Sequence, residues 1–468
     1  MSDTGAAPAA PASEAAAAPA APATPAAPAA APDPMELLKS RSYVQLLVLA
    51  AVIGVPVSAV AYFFLALVSK LQTWIFQSLP KALGFAGTPV WWPVPILLVA
   101  GVLVAATITY LPGTSGHEPA NGFQAGGGAP TAAELPGVVL AALATLALGV
   151  VLGPEAPLIA IGGGLGALAV RLAAKDAPPM AGVVMAAAGS FAAVSTLLGS
   201  PIVGAFLLME VTGLGGPVLG LVLVPGLLAA GIGTLIFVGL DNLTGLGTFS
   251  LAIPGLPPFT HPTGALFGWA LAIGVVAVLV GTAIRLASLA LQTIVVKHRM
   301  LITPVIGLIV AGVAIGFAEL THHGTQYVLF SGQTALPDLV LKASTWTVGA
   351  LVVLAVAKAI AYAFSLSAFR GGPIFPAMFI GAAIGVAGSH LPGLVLVPAV
   401  AMGIGAMATV MLKLPLTSTL LAILLFASDG LSVTPLVIVA VVVAYVLSAH
   451  MPQTPADLRR RRAPAPAA

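Results

Sequence analysis

Apolar residues run along this sequence in long blocks of Ala, Val, Leu, Ile and Gly. Seven blocks, at Val44–Val68, Trp91–Tyr110, Leu135–Leu152, Val218–Val238, Ala265–Leu286, Ile302–Leu320 and Trp346–Phe364, are long enough as helices to cross about 30 Å of hydrocarbon. Three others, Pro157–Leu172, Pro201–Val211 and Pro415–Phe426, are too short to cross upright. Their Gly and Pro punctuation predicts re-entrant or discontinuous helices. A membrane tolerates these only where protein or a water-filled cavity covers the backbone. The expected fold class is an all-α polytopic membrane protein with broken helices.

Composition strengthens that reading and excludes a soluble one. Of 468 residues, 59% are hydrophobic and 7% charged, where a soluble domain carries about 25% charged residues. There is no cysteine, which excludes a zinc–cysteine centre. The net charge of +3 is scattered apart from the run Arg459–Arg462. Beside a membrane domain that run reads as a cytoplasmic, headgroup-facing tail rather than a nucleic-acid contact, and Lys39 and Arg41 put the N-terminus on the same side. Residues 1–34 are almost wholly Ala and Pro, a composition that cannot form a core, and they lack the basic and compact apolar regions of a signal peptide. The expected organisation is a disordered Ala/Pro arm at 1–34, a first transmembrane half at 35–240, a second at 241–455 and a basic tail at 456–468.

The two halves are suggested by a repeat. GPEAPLIAIGGGLG at 153–166 and GPIFPAMFIGAAIG at 372–385 share Gly, Pro, Pro, Ile, Gly and Gly in one register, at an offset of 219 (372 − 153). A second pair follows, GSFAAVSTLLGSPIVG at 189–204 and GIGAMATVMLKLPLTS at 403–418, at an offset of 214 (403 − 189). Two matched pairs in the same order imply an internal duplication, and in membrane transporters such halves are often inverted about a site at their interface. Each GP–x–x–P element also has the chemistry of a helix start, because proline suits the first helical position. The free N–H groups that follow, with the positive end of the helix dipole, make an anion site. Two such ends facing each other would hold an anion with no full positive charge, whereas a lysine would hold it too tightly for fast release.

At these residues the chain resembles the CLC family of chloride channels and chloride/proton antiporters. Three family signatures follow in order. TSGHE at Thr114–Glu118 is similar to GSGIP, GPEAP at Gly153–Pro157 to GREGP, and GPIFP at Gly372–Pro376 to GxFxP. The segment PIVGAFLLME at Pro201–Glu210 resembles the family's APLAG helix, and the likeness covers roughly residues 44–455. The resemblance implies an inverted-repeat membrane fold that carries chloride or another small anion, as a homodimer with one pore per subunit. It implies that the Ser115 hydroxyl meets a central anion, and that backbone at Gly116, Ala156, Ile374 and Phe375 contributes donors. It makes Glu155 the gate, a carboxylate that stands in an anion position until it is protonated or swings away. A carboxylate inside a membrane is in any case a functional candidate; its other reading is a helix-terminal acid that merely complements the dipole.

The departures shape the expectation further. Pro154 and Pro373 each remove a backbone donor, and Val211 stands where the antiporters keep a proton-relay glutamate, with Glu210 just before it. No tyrosine follows Tyr445, and Thr454 falls where the family has an anion-binding tyrosine. The chain beyond Pro452 is too short for the family's cytoplasmic CBS domains. Glu210, His117 and Glu118 are candidate proton relays, the last two alternatively shaping the pore mouth or forming a plain loop pair. His322 and His323 after Glu319 have helical spacing but read as an exposed helix end, so no metal or cofactor is expected. GGGLG at 162–166 follows no strand and carries no Lys-Ser/Thr, so it reads as close helix packing. Channel-like conduction gated by Glu155 is favoured slightly, because of Val211. A proton-coupled antiporter is the alternative, and a non-transporting scaffold or an enzyme on the same fold is the third reading, for which no catalytic constellation is legible. The expected location is the plasma (inner) membrane of a prokaryote, multi-pass, with both termini cytoplasmic.

Overall fold

The computed structural model describes residues 2, 39–123, 128–173, 179–198, 200–213, 216–251, 253, 255–426 and 430–462. The arm expected at 1–34 lies outside the described residues apart from Ser2, as does the tail beyond Arg462. The helices of the first half are α1 (Arg41–Thr73), α2 (Pro93–Tyr110), α3 (Leu135–Ala147), α4 (Glu155–Ala173), α5 (Pro179–Val194), α6 (Pro201–Thr212) and α7 (Gly216–Thr244). Those of the second are α8 (Gly264–Lys297), α9 (Arg299–Thr321), α10 (Ala335–Leu341), α11 (Val348–Ala368), α12 (Ile374–Gly388), α13 (Leu396–Leu412), α14 (Pro415–Leu425) and α15 (Gly430–His450), followed by the short basic α16 (Pro455–Arg462). Among the described residues, eight helices are long and apolar enough to cross a membrane. The boundary expected at 240/241 falls inside the last turn of α7, which runs on to Thr244.

The structure corrects three of the sequence expectations. The block Leu135–Leu152 is not one span: α3 stops at Ala147, and Gly149 turns the chain at φ +91°. Hydropathy does not register such a turn, because Val150, Val151 and Leu152 are apolar yet fully buried in protein, outside any helix. The block Pro157–Leu172 is in fact long enough to cross, since α4 starts two residues earlier, at Glu155, and has 19 residues. Proline in a first helical turn lacks only an N–H that would have been unpaired there. Finally α15, with Pro435 inside it, is a further span-length helix that the apolar blocks above omit.

The repeat is visible in how the helices touch. In the first half a Cβ on Gly162 would strike the Gly189 carbonyl, and one on Gly189 would strike that of Gly162. Gly381 and Gly403 stand in the same mutual relation in the second half. One helical turn on, Gly166 lies against the Met185 carbonyl and Gly385 against that of Ala399. So α4 crosses α5 as α12 crosses α13, backbone to backbone through small residues, the arrangement by which helices associate where lipid supplies no hydrophobic drive. The halves are not equally enclosed. On α13 every residue from Val397 to Leu412 is buried, while α4 keeps Ala156, Ile159 and Ala160 partly open.

Candidate functional site

The two GP–x–x–P elements meet. Gly153 donates its N–H to the Gly372 carbonyl at 2.7 Å, and Gly372 donates to Gly153 at 2.6 Å, an isolated antiparallel bridge between equivalent glycines of the two halves. The bridge sets the start of α4 beside the start of α12. Its surroundings are tied down by hydroxyls: Val151 N–H donates to Ser365 Oγ at 3.3 Å, and Arg370 N–H to Thr145 Oγ1 at 3.4 Å.

Glu155 is the first residue of α4 and is fully buried. Its Oε1 accepts from the Ile374 N–H, the first amide of α12, while Oε2 is buried and has no partner. Gly153 and Gly372 make the room: a Cβ on either would overlap the carboxylate. The carboxylate of the first half therefore occupies the dipole-positive end of a second-half helix. Tyr362 on α11 is fully buried too and donates its hydroxyl to the Pro373 carbonyl at 2.7 Å, one residue from that amide.

Ser115 and Gly116 border a cavity instead. With His117, Ala156, Arg370 and Gly371 they line a cavity of about 590 Å³ whose remaining wall is mostly apolar, supplied largely by α3, α4, α5, α6 and α7. Neither Glu155 nor Ile374 nor Phe375 lines it. Phe375 instead borders a small void of about 10 Å³ with Leu198, Met378 and Leu421. The expected residues thus fall into two groups: Ser115, Gly116 and Ala156 on the cavity, and Glu155 with Ile374 sealed beyond it. Ser115 is itself buried, has φ +54°, and donates its hydroxyl to the Thr107 carbonyl at 3.3 Å.

Two of the candidate relays are held by neighbours. Glu118 accepts from Gln292 Nε2 at 2.6 Å and Asn121 Nδ2 at 3.3 Å, and pairs with Arg299 and Arg370, each at 3.4 Å. Glu210 accepts from the Leu416 and Thr417 amides at 3.0 and 2.8 Å and from the Thr417 hydroxyl at 2.7 Å. It is a cap supplied by α6 to the N-terminus of α14, with both oxygens holding donors of that helix end. His117 lines the cavity, with Nε2 at 2.8 Å from the Gly122 carbonyl. His323 stacks on Trp346 with centroids 3.7 Å apart, and no cluster of three metal-ligating side chains occurs among the described residues.

Sequence reasoning passed over three residues here. Arg370 has a nearly buried guanidinium that lines the cavity, a full positive charge that the sequence reading did not anticipate there. Lys358 is fully buried on α11, its ammonium donating to the carbonyls of Tyr327, Val328, Leu329 and Phe330 at 3.1–3.3 Å and lying 4.3 Å from the Phe379 ring centroid. Tyr362 lies one turn further along the same helix. For the two cations a signal was available: Lys358 is the one charge in the block Trp346–Phe364, and Arg370 stands two residues before the first glycine of the second-half motif, Gly372. Intramembrane charges are functional candidates by default. Tyr362 belongs to no legible pattern.

The comparisons agree with this architecture. Residues 113–449 match the family model described as voltage gated chloride channel. The chain is 30% identical over 357 residues to YfeO of Escherichia coli (strain 55989), a protein whose name assigns it to ion transport, covering 74% of this chain and 80% of that one. The YfeO protein of Escherichia fergusonii is likewise 30% identical over 357 residues, with the same coverage. Among solved structures, a slow cyanobacterial Cl⁻/H⁺ antiporter superposes with a TM-score of 0.70 at 19% identity, covering 89% of this chain and 96% of that one. A CLC-type fluoride/proton antiporter gives 0.63 at 18%, covering 86% and 95%. The fold is shared with both, and the chain belongs to the voltage gated chloride channel family, the CLC proteins.

Proposed function

We propose that this chain moves a small anion, such as chloride, in exchange for protons, with Glu155 as the group that competes with the anion and carries the proton. CLC proteins are anion transporters rather than enzymes, and anion transport of this type across a membrane is the activity of the chain at family level. The observation that carries the finer reading is the placement of Glu155: a carboxylate at the first amide of α12, one oxygen unpartnered, walled off from the cavity that Ser115 lines. Protonation removes the charge that the α12 N-terminus holds, so the side chain is released and an anion takes its place; deprotonation reverses the exchange. Anions would pass from the cavity, where Ser115, Gly116 and Ala156 stand, to the position near Ile374 and Phe375. The two solved relatives described above are proton-coupled antiporters, which supports the coupled reading.

A second reading, conduction without proton coupling, draws on Glu210. Its three donors leave no second free carboxylate at the place where a relay was expected. Reconstitution in liposomes decides between them: a chloride gradient applied at symmetric pH should drive measurable proton movement in the opposite direction. Chloride flux with no proton movement establishes the second reading, and no anion flux from inserted protein refutes both. The family resemblance and the basic ends at Lys39–Arg41 and Arg459–Arg462 further support a homodimer with both termini in the cytoplasm.

A further inference from the structure

Arg370 gives the cavity a property that the two helix ends do not supply. A helix N-terminus presents converging amides to a sphere or a single oxygen, whereas a guanidinium presents parallel N–H groups in a plane, matched to two oxygens of one flat anion. In this chain the guanidinium is fixed in place. Nε donates to the Thr114 carbonyl at 3.1 Å, one terminal nitrogen to the Phe369 carbonyl at 3.3 Å, and the other reaches Glu118 at 3.4 Å. These bonds use three of its five N–H groups, and the side chain is only 5% exposed while lining the cavity.

Local charge favours an anion there. Among the described residues Glu118 is the one carboxylate paired with Arg370, and it is shared with Arg299, so two guanidiniums face one acid. Glu118 itself is not on the cavity wall; the acid that is, Glu134, accepts from the amide and hydroxyl of Thr131 at 2.8 and 2.9 Å and so caps its own turn. Next to Arg370 the wall carries Thr114, Ser115, Gly116 and His117, and the rest is largely alkyl. A volume of about 590 Å³ is also far larger than one halide requires, a water molecule occupying about 30 Å³ of liquid.

We propose that Arg370 makes this cavity a receiving site for flat, monovalent oxyanions of the nitrate class, which it binds in preference to spherical halide. The proposal rests on the anion-transport reading for its place in the cycle, but its test does not, because binding is measured apart from flux.

The full-length protein, purified in detergent, is titrated calorimetrically with sodium nitrate and with sodium chloride. Nitrate is expected to bind several-fold more tightly than chloride. Arg370→Lys keeps the charge and loses the fork, so it should bring the two affinities to within about twofold. Glu118→Gln removes the acid that competes for the guanidinium and should tighten nitrate more than chloride, an increase that a misfolded variant could not produce. Equal affinities in the wild type, or a nitrate preference that survives Arg370→Lys, overturns the proposal. Nitrate preference in a protein that moves no anion in liposomes would uphold this site and refute the transport reading instead.

Discussion

Glu155 and Glu210 occupy the same kind of place. Each is a carboxylate of the first half set at the N-terminus of a second-half helix, Glu155 at α12 and Glu210 at α14. Around Glu210 all is satisfied: two amides and a hydroxyl share its two oxygens, and the side chain is only partly buried. Around Glu155 one amide serves one oxygen, the other oxygen has no partner, and the residue is fully buried between two glycines. An unpaired polar atom away from water costs about 1–3 kcal/mol, and more when charged. A helix end with a carboxylate on it is therefore not by itself a gate. On the proposed reading, what would make Glu155 a gate is that its resting contact is incomplete, so that protonation or a competing anion would tip the balance, whereas a cap like Glu210 gains nothing by leaving.

The largest expected effect comes from making Glu155 neutral. A charge-assisted hydrogen bond exceeds a neutral one by about 1.4 kcal/mol, which is roughly tenfold in occupancy. Glu155→Gln should therefore raise anion efflux at neutral pH by about that factor and abolish proton coupling. Wild-type flux should rise as external pH falls, because acid neutralises the carboxylate, while the Gln variant should barely respond. Identical pH profiles for the two, measured in liposomes, would reduce Glu155 to a second Glu210.

Lys358 comes next, acting on one side of the comparison only. Its ammonium gathers the carbonyls of Tyr327 to Phe330, and the Phe330 amide donates to the Gly149 carbonyl at 3.0 Å, at the head of the segment that leads to Glu155. Lys358→Met strands four carbonyls, those of Val328 and Leu329 on buried residues and those of Tyr327 and Phe330 on partly buried ones, and should lower stability by about 3 kcal/mol. Thermal unfolding in detergent measures this, and an unchanged midpoint would show that the cage contributes nothing.

The two sites also differ in how far the sequence revealed them. The duplicated GP–x–x–P elements made α4 and α12 legible, with Glu155 at the head of one of them, because proline and glycine at helix starts act through backbone geometry that the sequence encodes locally. The contact between Glu155 and Ile374 spans 219 positions and was reachable only through the repeat and the family resemblance, not from either segment alone. The capping contact of Glu210 was not legible, because its partner, the start of α14, carries no mark in the sequence of α6. The block 135–152 was misread because burial in protein and burial in lipid select the same residues, and only the Gly149 turn separates them. The contacts of Tyr362 and Lys358 depend on how α11 lies against α12 and the loop at 327–330, and those of Arg370 on the distant Thr114 and Glu118, so the isolated charges of the two cations were visible in the sequence while their partners were not.

The glycine cradle offers a narrower test. The three nearest atoms to a Cβ built on Gly372 all belong to Glu155, so Gly372→Ala should clash with that side chain alone. A destabilisation of about 2 kcal/mol is expected, disappearing in the double variant Gly372→Ala/Glu155→Ala, since the coupling of touching residues is what a double-mutant cycle isolates. Equal losses in both backgrounds would mean that the cradle serves the backbone bridge and not the carboxylate.

Glu210 should give the smallest effect, and the manner of its smallness is the point. Replacing a capping acid by its amide removes the charge–dipole term but keeps an acceptor, so Glu210→Gln should lower stability by only about 0.5–1 kcal/mol. With the amide oxygen in the place of Oε2, the Thr417 N–H and hydroxyl keep their acceptor, and only the Leu416 N–H, which meets Oε1, loses its own. Flux and its pH dependence should stay as in the wild type, because a cap whose donors are all paired does not exchange with the anion. Glu210→Ala leaves two amides of α14 without their acceptor and should be worse, by about 1–2 kcal/mol, still without altering the pH profile. If Glu210→Gln instead abolishes proton movement while chloride continues to flow, then Glu210 carries protons despite its three donors. The contrast between an incomplete and a complete carboxylate contact would then no longer tell a gate from a cap.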